Sequence, residues 1–97
     1  MLGGFKTIAQ IATPEIQKFL NKHIADINSH LGLSVSDYDA ITFTSQVVNG
    51  TNYLIKVRGD GQFYHVKIYK PLPSSIEPSC LVDIQTGHSL TSALKPF

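Results

Sequence analysis

Between Thr13 and Gly32, apolar residues recur at Ile16, Phe19, Leu20, Ile24, Ile27 and Leu31. That is the spacing of one face of an α-helix, and Lys18, Lys22 and Asp26 fall on the opposite, wet side. Thr13 is a good N-cap, and Pro14 suits the first helical position, where an N–H would be unsatisfied anyway. Glu15 complements the positive end of the helix dipole. Gly32 suits the left-handed residue that stops a helix. The pattern predicts one helix over 14–31.

After a polar link at 34–37 the period changes from that of a helix to that of a strand. Ile41, Phe43 and Val47 alternate with Thr42, Thr44 and Gln46, a half-buried strand that runs into Asn49-Gly50. Thr51 to Val57 is the return strand, with Tyr53, Ile55 and Val57 on one side and Asn52 and Lys56 on the other. Arg58-Gly59-Asp60-Gly61 is a second turn. From Phe63 to Tyr69, Tyr64, Val66 and Ile68 lie on one face and His65 and Lys67 on the other. Pro71-Leu72-Pro73-Ser74-Ser75 breaks the sheet, and a last strand with broken alternation is expected at 80–86. Residues 1–12 read as a loose arm with short extended character.

A lone helix must bury its apolar stripe, and the apolar face of an antiparallel meander is the available partner. The expected fold class is α+β, with one α-helix packed across a four- or five-stranded antiparallel sheet. Residues 1–97 are expected to form a single domain without repeats or linkers. Asn49-Gly50 is the strongest turn signal, because both central residues of a type I′ turn need positive φ. The valines before it are odd, since hairpin tips usually carry polar residues. Either they fold back as a strand end or they are displayed to a partner.

Composition narrows the function. The chain is 42% hydrophobic and 15% charged, a globular balance, and its net charge of +1 leaves no basic stripe for nucleic acid or an anionic membrane. Cys80 is the single cysteine, so neither an internal disulfide nor a Cys-rich zinc site is available. His23, His30, His65 and His88 lack metal-ligand spacing, and neither metal nor cofactor is expected. Cys80 with His88 invites a thiol-nucleophile reading, but a small one-helix sheet offers little cleft, so no enzymatic activity is expected. Asn49-Gly50-Thr51 is formally a glycosylation sequon and Arg58-Gly59-Asp60 an adhesion tripeptide; both read as turn chemistry. The N-terminus has no apolar run of signal-peptide length, and a soluble, cytoplasmic protein is the expectation.

Gln46-Val47-Val48-Asn49-Gly50 resembles the QVVAG signature of the cystatins, specifically the short, disulfide-free stefin type, and Thr51-Asn52-Tyr53 continues the match. Ala12-Thr13-Pro14-Glu15-Ile16-Gln17 resembles the opening of the family helix. Gly3-Gly4 sits where stefins keep an N-terminal glycine, Leu72-Pro73 where they have a second hairpin loop, and Phe97 fits as well. The resemblance spans the chain and implies the cystatin fold. It also implies reversible inhibition of papain-like cysteine proteases, the cathepsins among them. In that family the N-terminal arm, the QVVAG hairpin and the second loop form a wedge that plugs the protease cleft.

Carried onto this chain, the protease-binding residues are Leu2, Gly3 and Gly4, then Gln46, Val47, Val48, Asn49 and Gly50, then Leu72 and Pro73. Glycine lets the backbone approach closely, with Gly3 favoured over Gly4, and Leu2 suits an apolar subsite. Val47 is in phase with Ile41 and Phe43, so it can face the protein's own core, which leaves Val48 as the favoured anchor. Asn49 stands where the family has alanine, the turn at 58–62 is about one residue short, and 90–97 lacks the acidic residues common in stefins. The expected state is a monomer, with a domain-swapped dimer as an alternative. The alternative function is a cystatin-fold scaffold or interaction module that has lost inhibition.

Overall fold

The computed structural model describes residues 9–95 and Phe97. The chain forms β1 (Gln10–Ile11), α1 (Pro14–Asn21), α2 (Ile24–Leu31), β2 (Asp39–Val48), β3 (Gly50–Gly59), β4 (Gln62–Lys70) and β5 (Cys80–His88). All strand pairs are antiparallel, and the spatial order β1-β2-β3-β4-β5 follows the chain. Short turns join β2 to β3 and β3 to β4, as antiparallel neighbours allow, while α1 and α2 lie between β1 and β2 and a loop at 71–79 joins β4 to β5.

The helical stretch starts and stops where its sequence says. The Ile16 N–H donates to Thr13 Oγ1 at 3.2 Å, Pro14 opens α1, and Gly32 closes α2 at φ 70°. It is not continuous, however. At Lys22-His23 the path tightens into a bond from the His23 N–H to the Leu20 carbonyl, and His23 leaves helical geometry at φ −114°, ψ 12°. The His23 ring is buried there and shares a 2.8 Å hydrogen bond with Ser79 Oγ, just before β5. Two short helices therefore replace the single expected one.

Ile16, Leu20 and Ile27 pack onto Ile55, Val57, Val66, Ile68 and Ile84 from the sheet, with Tyr38 and Tyr64 closing one end. Two helical amides fasten the connections. Gln17 accepts from the Ala40 N–H at 2.9 Å and donates to the Tyr38 carbonyl at 2.8 Å. Asn28 donates to the Val35 carbonyl, and its Oδ1 accepts from the Val35 N–H and from the Tyr38 hydroxyl.

The second face of the sheet is covered as well. Leu54, Lys56 and His65 are buried on it although the alternation assigns Lys56 and His65 to a polar face. The cause is the segment after β5, which crosses that face. Lys56 Nζ donates to the Leu90 and Ser92 carbonyls at 2.6 and 2.5 Å, and the His65 and His88 rings stack with centroids 3.6 Å apart.

Candidate functional site

Val47 and Val48 end β2 and are 61% and 43% exposed. Val47 does stand on the helix-side phase, beyond Phe43, but it does not turn into the core. The edge contact between Phe19 and Tyr53, centroids 5.1 Å apart, marks the outer limit of helix cover. Tyr53 pairs with Ser45, and Val47 lies one step further out, opposite Thr51. Val47 is displayed because the helix stops short of it, whereas Val48 alternates to the opposite face of the sheet, in phase with Thr44 and Gln46, and is exposed there.

The turn that carries them is not type I′. Gly50 has φ 109°, whereas Asp60 is the one non-glycine with positive φ among the described residues, so Asn49 does not adopt the expected left-handed geometry. Val47 pairs with Thr51 and Val48 with Gly50, so Asn49 alone stands between the strands and the positive φ falls on Gly50, where glycine adopts it most cheaply. Gly50 is also buried. A Cβ there would lie 2.6 Å from the Tyr69 hydroxyl and 2.8 Å from the Lys70 carbonyl. The Tyr69 hydroxyl donates to the Asn49 carbonyl, so β4 clamps the tip. Ten-residue strands on both sides carry the tip, and it is held in place before any partner arrives.

Thr51 pairs with Lys70, so β4 ends beside this tip and releases the 71–79 loop at the same end of the sheet. Leu72 is 46% exposed, Pro73 is exposed, and a 2.9 Å bond from the Ser75 N–H to the Leu72 carbonyl folds them into a turn. β1 pairs Gln10 with Phe43 and Ile11 with Thr42, so its N-terminal end is directed toward the Val48 end of β2. Leu2, Gly3 and Gly4 lie outside the described residues. Gln46 is half-buried at the base of the tip, opposite Asn52.

Two features of this end escaped sequence reasoning. Tyr69 is one of an alternating series in β4, and nothing local distinguishes it as the clamp. Ile76 is fully exposed in the 71–79 loop, and a lone apolar residue among Ser, Glu and Pro was the signal that could have found it.

The described groups with displaced proton affinities lie away from the tip. Burial, then His88 and Lys56, pushes His65 down to about 4. Burial lowers Lys56, and burial followed by Tyr64 and Asp60 raises Tyr38. Cys80 and His88 stand at opposite ends of β5, facing Tyr69 and Phe63 of β4, and at ~3.3 Å per residue of β4 they are roughly 20 Å apart, far too distant for a thiol–imidazole dyad. What this end of the molecule offers is shape and apolar surface.

The Cystatin domain profile matches residues 3–88. Cystatin-A of Homo sapiens is 35% identical over 98 aligned residues, covering 100% of both chains. Leukocyte cysteine proteinase inhibitor 1 of Sus scrofa is 35% identical over 100% of this chain and 95% of its own. Among solved structures, a secreted type 1 cystatin from Fasciola hepatica superposes with a TM-score of 0.72 at 26% identity, covering 89% of this chain and 97% of that one. With the helix-on-meander fold, the Gln46–Gly50 tip and these full-length relatives in agreement, the chain belongs to the cystatin family.

Proposed function

We propose that this protein is a reversible, non-covalent inhibitor of papain-like cysteine proteases of the cathepsin type. The family is one of inhibitors rather than enzymes. The observation that carries the reading is the joint exposure of Val47, Val48 and Leu72 at one end of the sheet, on a tip that Tyr69 clamps. A protease cleft is concave and apolar, and each valine contributes roughly 1.5–3 kcal/mol if fully desolvated in it. Because the tip is held beforehand, docking loses little conformational entropy. Gln46, Asn49 and Gly50 complete the hairpin contact and Pro73 the second loop. Leu2 with Gly3 or Gly4 supplies the third contact, as the resemblance to the family implies. In this reading the wedge fills the cleft without offering a scissile bond to the catalytic thiol. The protein acts as a monomer in the cytoplasm in this reading.

Titration against papain with a fluorogenic peptide tests it. Tight, reversible inhibition is expected; no inhibition at micromolar concentration overturns the proposal and leaves a scaffold role. Deleting Met1–Gly4 should weaken cathepsin binding while the melting temperature stays nearly constant. A large drop in melting temperature would make the arm structural.

A further inference from the structure

Exposed Asn49 precedes buried Gly50 at the tip, and an Asn-Gly pair is chemically labile. An asparagine side-chain amide is open to attack by the backbone nitrogen of the next residue, and glycine obstructs that approach least because it has no Cβ. The fold holds the pair in place: φ 109° and the 2.6 and 2.8 Å approaches to Tyr69 and Lys70 oblige position 50 to be glycine. The Tyr69 hydroxyl, which donates to the Asn49 carbonyl, adds a second effect. That oxygen takes up negative charge when the Gly50 N–H is deprotonated, and a hydrogen bond to it stabilises the nucleophilic form of the amide. The remaining asparagines are placed otherwise. Asn21 and Asn28 lie within α1 and α2, Asn28 is tied to Val35 and Tyr38, and Asn52 is paired on both sides within β3 and followed by Tyr53.

We propose that Asn49 is a self-modifying site whose conversion to aspartyl and isoaspartyl forms retires the wedge. The loss of function rests on the protease-inhibitor reading; the chemistry does not. The Gly50 nitrogen, its proton passed to water, attacks Cγ of Asn49; the new C–N bond closes a cyclic imide, and the side-chain nitrogen leaves as ammonia. Water then adds to one of the two imide carbonyls and opens the ring. Opening at Cγ leaves aspartate. Opening at the backbone carbonyl leaves isoaspartate, with the chain rerouted through the side chain. The balance is one water consumed and one ammonia released, with no oxidation or reduction. Either product puts a carboxylate beside Val48 that resists desolvation in an apolar cleft, and isoaspartate also inserts a methylene between Val48 and Gly50. Asp60-Gly61 can cyclise by the same route without a mass change, at the other end of β3, and is an internal control.

The full chain is aged in mildly alkaline buffer and sampled for peptide mass spectrometry and for papain inhibition. The Asn49 peptide should gain one mass unit, with isoaspartate the larger product, ahead of peptides containing Asn21, Asn28 or Asn52. The inhibition constant should rise in step, by about ten-fold or more for the converted fraction. Asn49→Gln, compared with its own fresh sample, should not lose inhibition on ageing. Tyr69→Phe should convert more slowly; faster conversion would remove the activating role given to Tyr69. Asn49 left intact while another asparagine converts would overturn the site. Full conversion with undiminished inhibition would overturn the consequence. If fresh protein does not inhibit papain at all, the inhibitor reading fails while the mass spectrum still decides the chemistry.

Discussion

At one end of β3 the chain turns through Asp60 and Gly61, at the other through Asn49 and Gly50. The sequences are alike, a short polar residue followed by glycine, yet the turns differ. Asp60 and Gly61 have φ 53° and 75° between the paired residues Gly59 and Gln62, the two-residue geometry expected of Asn49-Gly50. That turn is polar at its tip and closed behind, where a Cβ on buried Gly59 would fall 2.3 Å from the Tyr38 ring. The Asn49 turn takes its positive φ at Gly50 alone and leaves two valines uncovered. One hairpin completes the core, and the other carries apolar surface beyond it. A dipeptide signals that the chain turns. The pairing register decides how, and what packs over each face of the sheet decides whether the flanking side chains are buried.

Substitutions at both turns, and acid, probe the contrast. Val48→Asp should raise the papain inhibition constant a hundred-fold or more, about 3 kcal/mol or more, because docking would bury an unpaired carboxylate. An unchanged constant would show that the tip is not the contact. Gly50→Ala should lower unfolding free energy by about 2–4 kcal/mol through φ strain and overlap with Tyr69 and Lys70. Gly61→Ala, also at positive φ but with open space around it, should cost only about 1–2 kcal/mol. Denaturant midpoints measure both, and equal losses would erase the proposed difference between the turns.

Acid addresses the face that the two ends share. The buried His65 ring faces Lys56 on β3 and His88 and Gln85 on β5, and its pKa is depressed from 6.5 to about 4, by burial first. The unfolded chain therefore takes up the proton first. The stability from the neutral ring is fully present above about pH 6.5 and is lost as pH falls toward 4. Melting temperature should fall over that window, and His65→Leu should flatten the dependence; a flat wild-type profile would contradict the buried neutral ring. The smallest effect belongs to the exposed Arg58–Asp39 pair at 3.1 Å, near the Asp60 turn. Asp39→Asn should change stability by less than about 1 kcal/mol and leave papain inhibition unaltered.

Much of this molecule is legible in short stretches of chain. Thr13, Pro14 and Gly32 bound the helical segment because capping is decided within one turn, and the alternation in β2, β3 and β4 separates the two sheet faces because side chains on a strand alternate. The Gln46–Gly50 motif and its companions were enough to indicate the family. Other features depend on residues that arrive from far along the chain. The helix breaks at His23, whose ring bonds Ser79. Lys56 and His65 are buried because the segment around Leu90 and Ser92 crosses a face that the pattern marks as polar. Val47 is in phase with the core and still exposed, because phase states which side of the sheet it takes and only packing states whether that side is covered. The sequence by itself determined the span of the helical segment, the strands that follow it, their order and the valine-bearing tip. Tertiary structure alone decided burial and turn geometry, since both depend on partners that no local window contains.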